Sequence, residues 1–277
     1  MSNRAQSLNA RIRNVAKEKG LAAQTVMQNF MFERFLTRLA LSEYRDKFIL
    51  KGGMLIAAMV GLKFRATMDL DATIRGYSVE ESHIREVLTA ICAVPVDDDV
   101  AFNLTSVRPI RKDDAYGGLR ASLLAQYDDI KTPLSIDITT GDAITPGAIR
   151  YRFHGMFDEA ASIELWTYNI ETILAEKAET ILRRGVFNTR PRDYYDVYIL
   201  TKAQKYERAL FRNALRATAA HRDTADQIAD VGQILSTIAA SDDLKAHWKK
   251  YQREYAYAAG IDFDTLVHAL RELLQPA

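Results

Sequence analysis

One cysteine, Cys92, stands in this 277-residue sequence, so no internal disulfide can form and a zinc ribbon is excluded. The five histidines, His83, His154, His221, His247 and His268, show no metal-ligand spacing, and no glycine-flanked serine elbow offers a nucleophile. Long apolar runs are also missing. The uncharged apolar stretch Met54 to Leu62 falls far short of a membrane span. Neither sign of charge dominates: 37 basic and 36 acidic residues leave a net charge of +1, so any contact with nucleic acid must come from a local patch. These absences set the expectation of a cytoplasmic protein with no membrane partner. The first twenty residues are Arg-rich and almost free of acid, superficially like a transit peptide, but they run straight into a patterned helix.

The composition, 48% hydrophobic and 26% charged, is that of an ordinary globular chain, long enough for one large domain or a core with a second lobe. The most informative stretch is KGGMLIAAMVGLKFRATMDLD, from Lys51 to Asp71. Gly52 and Gly53 precede an apolar helix, whose first N–H groups have no partner within the helix and form an anion site. The strand that follows carries Asp69 and Asp71. Side chains two apart on a strand share a face, so these carboxylates converge on one point, as a divalent metal requires. A phosphate cradle beside a carboxylate pair indicates phosphoryl or nucleotidyl chemistry.

Periodicity predicts helices over Ser7 to Ala16 and Ala22 to Leu41, the second burying Val26, Phe30, Phe35 and Leu39 and turning Arg34 and Arg38 to water. A short entry segment, Asp46 to Leu50, leads into the glycine turn. Beyond Asp71, a helix is expected from Glu80 to Ala93 with Ser78 as its cap, followed by strands at Ala101 to Ile110 and Leu119 to Gln126 around a polar turn at Lys112 to Gly118. A turn at Lys131 to Pro133 would deliver the strand Leu134 to Thr139, which sets Asp137 on the face opposite Ile136 and Ile138. Residues 150–165 are ambiguous and are expected to cross between lobes. From Asn169 the pattern is helical nearly to the end.

Asp137 would complete a three-carboxylate set. Lys177 lies on the first long helix of the second half, with Arg183, Arg184, Arg190 and Arg192 close behind it; a lysine suits a triphosphate, and arginines clamp phosphate oxygens bidentately. Asp193 and Asp196 stand one helical turn apart and share a face, although acids in a first turn are favoured by the helix dipole without any catalysis. Tyr251, Tyr255 and Tyr257 could stack bases, but their helical spacing fits packing better.

Several separated motifs, FERFLTRLALSEYRDKFILKGGMLI, RATMDLDATI, YGGLRASLLAQ, SIDITTGDAITP, IETILAEKAE and NTRPRDYYDVYIL, resemble in order those of the AbiEii/AbiGii-type nucleotidyltransferase toxins of bacterial toxin–antitoxin and abortive-infection systems. The resemblance implies an α+β fold: a minimal polymerase-beta-like core, a mixed sheet flanked by helices, with N-terminal helices and a helical C-terminal lobe. The expected division is residues 1–160 for the core with its leading helices and 161–277 for the lobe that closes the active-site cleft. It further implies Gly52, Gly53 and Thr67 as phosphate-binding residues, Asp69 and Asp71 as catalytic metal ligands, Asp137 as the third strand acid, Lys177 and Arg190 on the nucleotide, and Asp193, with Asp196 second, as the last acid. The implied reaction uses Mg2+ or Mn2+ and an NTP, releases pyrophosphate, and modifies an RNA acceptor, with the 3′ end of tRNA favoured and a nearby antitoxin as regulator. A small-molecule acceptor and a non-catalytic nucleotide- or partner-binding module are the alternatives. The arginines from Arg183 to Arg192 suit an anionic acceptor better than a cationic drug.

Overall fold

The computed structural model describes residues 2–63, 65–76, 79–110, 117–158 and 160–275. The expected cap Ser78 and most of the expected turn at 112–118 lie outside these residues. The chain is α+β and divides into two compact units, the first built from Met1–Ala58, Arg65–Gly141 and Ile149–Thr167, the second from Met59–Phe64, Asp142–Ala148 and Tyr168–Ala277.

The first unit opens with α1 (Asn3–Lys19) and α2 (Ala23–Leu41). α1 runs longer than its apolar pattern because both ends are capped: the Ser2 hydroxyl accepts from the Ala5 N–H, and Gly20 at φ 65° turns its own N–H back onto the Ala16 and Lys17 carbonyls. α2 buries Phe32, Phe35, Leu36 and Leu39, each contributing about 1.5–3 kcal/mol of apolar transfer free energy.

Arg38 departs from expectation. Its side chain is 3% exposed, and its guanidinium donates two 2.8 Å bonds to Asp98 and one of 2.5 Å to the Val100 carbonyl, over the Phe102 ring. Helical periodicity fixes the direction of a side chain; it does not show that a carboxylate from a distant loop will cover it. Arg34, the other arginine expected in water, is half-buried and pairs with Glu33.

A seven-stranded mixed sheet forms the body of this unit. Its strands are β1 (Phe48–Lys51), β2 (Asp69–Ile74), β3 (Val100–Pro109), β4 (Leu119–Tyr127), β5 (Ile130–Thr140), β6 (Ile149–His154) and β7 (Ser162–Thr167), in the order β3-β4-β5-β2-β1-β7-β6. Between β1 and β2 comes α3 (Gly52–Val60), and between β2 and β3 comes α4 (Glu81–Cys92). The region 150–165, expected to cross between lobes, is instead the β6–β7 hairpin within the first unit, with β7 parallel to β1, because its residues pair into the sheet edge.

The expected turn at Lys131 to Pro133 is displaced. β4 and β5 close instead around Asp128 and Asp129, Tyr127 pairing with Ile130 and Asp128 taking φ 52°. Pro133 is tolerated inside β5 because the pairing with β2 begins only at Ser135, so its missing N–H removes no bond on that side. One face of the sheet presents Leu70, Ala121, Leu123, Ile136 and Ile138, all buried, in the unit where α2 and α4 pack. The other face carries the alternate residues, among them Asp69, Asp71, Asp137 and Arg120.

The second unit is helical: α5 (Ile170–Arg184), α6 (Pro191–Ala203), α7 (Arg208–His221), α8 (Val231–Ala240), α9 (Asp242–Glu254) and α10 (Phe263–Leu274). Asn169 starts α5, accepting from the Thr172 N–H at 2.8 Å and donating to the Thr145 and Gly147 carbonyls at 2.9 Å each. The C-terminal tyrosines are packing residues. Tyr195 stacks on Trp248, which stacks on Tyr251, and the Tyr251 and Tyr257 hydroxyls meet at 2.8 Å. Among the described residues, no helix is long and apolar enough to cross a membrane.

Candidate active site

The glycine turn and the carboxylate strand are adjacent because β1 pairs antiparallel with β2, setting Lys51 opposite Asp71. β1 ends at Lys51 and α3 starts at Gly52, so the N-terminus of α3 opens beside Asp71. The fit is close. Gly52 has φ 66°, and a Cβ placed there would lie 2.0 Å from Asp71 Oδ2 and 2.7 Å from Asp71 Cβ. A Cβ on Gly53 would lie 2.6 Å from Thr67 Oγ1 and 3.3 Å from Arg65 Nη2. Both positions therefore favour glycine: the Asp71 carboxylate at Gly52, and the Thr67 hydroxyl and Arg65 guanidinium at Gly53, occupy the space a side chain would take.

Thr67 is held from behind. The buried amide of Asn29 on α2 donates to the Thr67 carbonyl at 2.9 Å, and Thr67 Oγ1 lies 3.3 Å from the Asp69 carbonyl. Asp69 and Asp71 are half-buried and share the open face, with Leu70 buried between them on the other. Two hard oxygen donors on adjacent same-face positions suit Mg2+ or Mn2+. Among the described residues, no three His, Cys, Asp or Glu side chains gather closely enough to hold one metal ion.

Asp137 stands opposite Asp71 in the parallel β2–β5 register and opposite Arg120 in the antiparallel β4–β5 register. Both of its oxygens accept from Arg120, Oδ1 from Nε and Oδ2 from Nη2, each at 2.7 Å. The Asp137 hydrogen bond and charge, with further pull from Asp69 and Asp71, hold the Arg120 guanidinium protonated above its ordinary value. Lys51 Nζ donates to Thr139 Oγ1 at 2.9 Å. A row of charge thus crosses five strands of one face: Lys51, Asp71, Asp137, Arg120 and Arg108. Sequence reasoning missed Arg120. Its signal was the alternation in LRASLLA, which puts Arg120, Ser122 and Leu124 opposite the buried Leu119, Ala121 and Leu123.

Within the second unit, Lys177 on α5 meets both acids of α6. Its Nζ lies 2.7 Å from Asp193 Oδ1 and 3.0 Å from Asp196 Oδ2, with the lysine side chain 20% exposed and Asp196 fully buried. The charges named from sequence at Lys177, Asp193 and Asp196 form one cluster. Of the expected arginine group, Arg183 pairs with Glu179 on its own helix and Arg190 is exposed at the residue preceding α6. Glu179 also binds Arg222 and Thr224, so this side of α5 is a closed ionic network.

A mixed sheet bearing a Gly-Gly turn, a helix N-terminus and an Asp-x-Asp strand, followed by a helical region, is the architecture of a nucleotidyltransferase. A Helicobacter pylori protein described as a candidate nucleotidyltransferase shares the fold with a TM-score of 0.51 at 17% identity, over 91% of this chain and 96% of that one. JHP933 from Helicobacter pylori matches with the same TM-score at 14% identity, over 91% of this chain and 93% of that one. No curated protein sequence matches this chain. The family model for the nucleotidyl transferase AbiEii toxin of type IV toxin–antitoxin systems matches residues 34–269, and the chain belongs to that family. It is a nucleotidyltransferase of a toxin–antitoxin system, with an NTP as its substrate class and an antitoxin as its counterpart.

Proposed function

We propose that this protein transfers a nucleotide from an NTP to a hydroxyl of an RNA acceptor, the 3′ end of tRNA first among them, in the cytoplasm. The acceptor oxygen bonds to the α-phosphorus as the bond from that phosphorus to its bridging oxygen breaks; pyrophosphate leaves and the acceptor loses its proton. The observation that supports this reading is the closeness of Gly52 to the Asp71 carboxylate: a Cβ on Gly52 would lie 2.0 Å from Asp71 Oδ2, so the start of α3 opens directly beside an acidic side chain. Gly52 and Gly53 bind phosphate oxygens through backbone N–H groups, and Thr67 fixes their turn. Asp69 and Asp71 would hold a divalent ion, which would supply neutralisation of the triphosphate charge. Within the second unit, Asp193 and Asp196 orient Lys177.

The test incubates the purified protein with labelled NTPs, magnesium and total RNA. Label transfer to RNA by the wild type and its loss in Asp69→Ala are expected. No transfer by the wild type, or equal transfer by the variant, overturns the reading.

A further inference from the structure

Arg120 has no role in the reading above, yet it stands on the same sheet face as the carboxylate pair. Its partner Asp137 is the residue that a three-carboxylate metal site would claim. A carboxylate with both oxygens bonded to one guanidinium has its best lone pairs committed. An arginine has five N–H donors in a planar fork; Nε and one N–H of Nη2 go to Asp137, which leaves the end-on fork of Nη1 and Nη2. Among the described residues no other hydrogen bond joins that fork, and the Arg120 side chain is 53% exposed.

Sheet order gives the fork a direction. The glycine turn and the N-terminus of α3 lie on the β1 side of Asp71, whereas Arg120 lies on the other side, across β5 on β4. Two strand spacings put Arg120 about 10 Å from the β2 backbone. In an in-line displacement the leaving group and the attacking oxygen occupy opposite sides of the phosphorus. If pyrophosphate departs over Gly52 and Gly53, the acceptor enters over β5 and β4. Arg108, paired with Arg120 across β3 and β4, extends the same positive edge.

We propose that Arg120 binds a phosphate of the acceptor strand, close to the attacking hydroxyl, and that Asp137 is its positioning residue and not a metal ligand. This rests on the nucleotidyltransferase reading and narrows its acceptor to a nucleic-acid end that carries phosphate beside the reactive hydroxyl. The side-on pairing with Asp137 holds the guanidinium in one orientation, so the fork meets the phosphate without searching rotamers.

The test has a binding arm without catalysis and a metal arm. In EDTA, with no NTP, binding of labelled total tRNA is measured against salt for the wild type, Arg120→Gln, Arg120→Lys and Asp137→Asn. Arg120→Gln is expected to weaken binding about 10-fold and to flatten the slope of log affinity against log salt by about 0.7–0.9, the share of one phosphate contact. Arg120→Lys keeps the slope and loses a few-fold in affinity, since charge remains but the fork is gone. Manganese binding, followed by electron paramagnetic resonance, is expected to be unchanged in Asp137→Asn and lost in Asp69→Ala. Wild-type tRNA affinity and slope in Arg120→Gln, or manganese loss in Asp137→Asn equal to that in Asp69→Ala, overturns the proposal. A wild type that binds tRNA through Arg120 but transfers no nucleotide sinks the reaction while leaving the phosphate contact standing.

Discussion

Replacing Gly52 with alanine strikes the contact on which the site depends. Alanine at φ 66° costs about 1–2 kcal/mol in backbone strain, of which about 0.4–1 kcal/mol is recovered because the unfolded chain loses freedom. The larger effect is steric. The new Cβ would fall 2.0 Å from Asp71 Oδ2, which a rotamer change relieves, and 2.7 Å from Asp71 Cβ, which only separation of β1 from β2 relieves. Overpacking of this kind costs about 1–3 kcal/mol, so Gly52→Ala is expected to lose about 1–4.5 kcal/mol in all. With a core of this size that lowers the melting temperature by roughly 2–18 °C. Because the carboxylate must move by a large fraction of an ångström, transfer to RNA should fall about 100-fold even well below the melting point. Differential scanning fluorimetry in EDTA reads the first effect and initial rates of label transfer read the second. Gly53→Ala is the control: its Cβ meets the Thr67 hydroxyl at 2.6 Å and no positive φ is required, so its losses should be less than half as large. A Gly52→Ala protein with wild-type melting temperature and rate would refute the close-contact argument.

Other residues give independent expectations. Arg38→Ala leaves the buried Asp98 without its partner and should cost about 3–5 kcal/mol in urea unfolding, while a loss under about 1 kcal/mol would mean the pair is solvated. Lys177→Ala sets two buried carboxylates side by side and should cost about 2–4 kcal/mol, with Lys177→Arg recovering part of it; an unchanged unfolding midpoint would show that the acids have other cations. Burial pushes the Cys92 thiol up from its ordinary value near 9 to about 11. The folded state therefore favours the protonated thiol, and the stability tied to it is intact below about pH 9 and is lost as pH rises through 11. At pH 8 about one molecule in a thousand carries thiolate, so an aromatic disulfide reagent should label native protein far more slowly than denatured protein. Equal rates would place the thiol in water.

Much of the fold could be read along the chain because local spacing carries it. The α2 stripe, the glycine pair at the start of α3, and the alternation in DLDATI follow from local sequence, and the structure gives each its element. Where several partners compete, local reading fell short. RYRFH in β6 alternates only weakly because it lies at a sheet edge, with one neighbour to bury against. Arg38 looked solvent-facing until Asp98, sixty residues on, covered it.

The carboxylate pair and the arginine beside it mark the boundary between these two kinds of knowledge. Asp69 and Asp71 share a face in any extended backbone, because the pleat repeats every second residue, and no neighbouring strand is needed to make them converge. Arg120 meets Asp137 only because β4 turns at Asp128 and Asp129. A turn centred on Thr132 would have set Asp137 against Tyr127 and left Arg120 elsewhere. Register is chosen by which turn lets Leu119, Ala121 and Leu123 share the buried face with Ile136 and Ile138, a competition settled among distant residues and not within either strand.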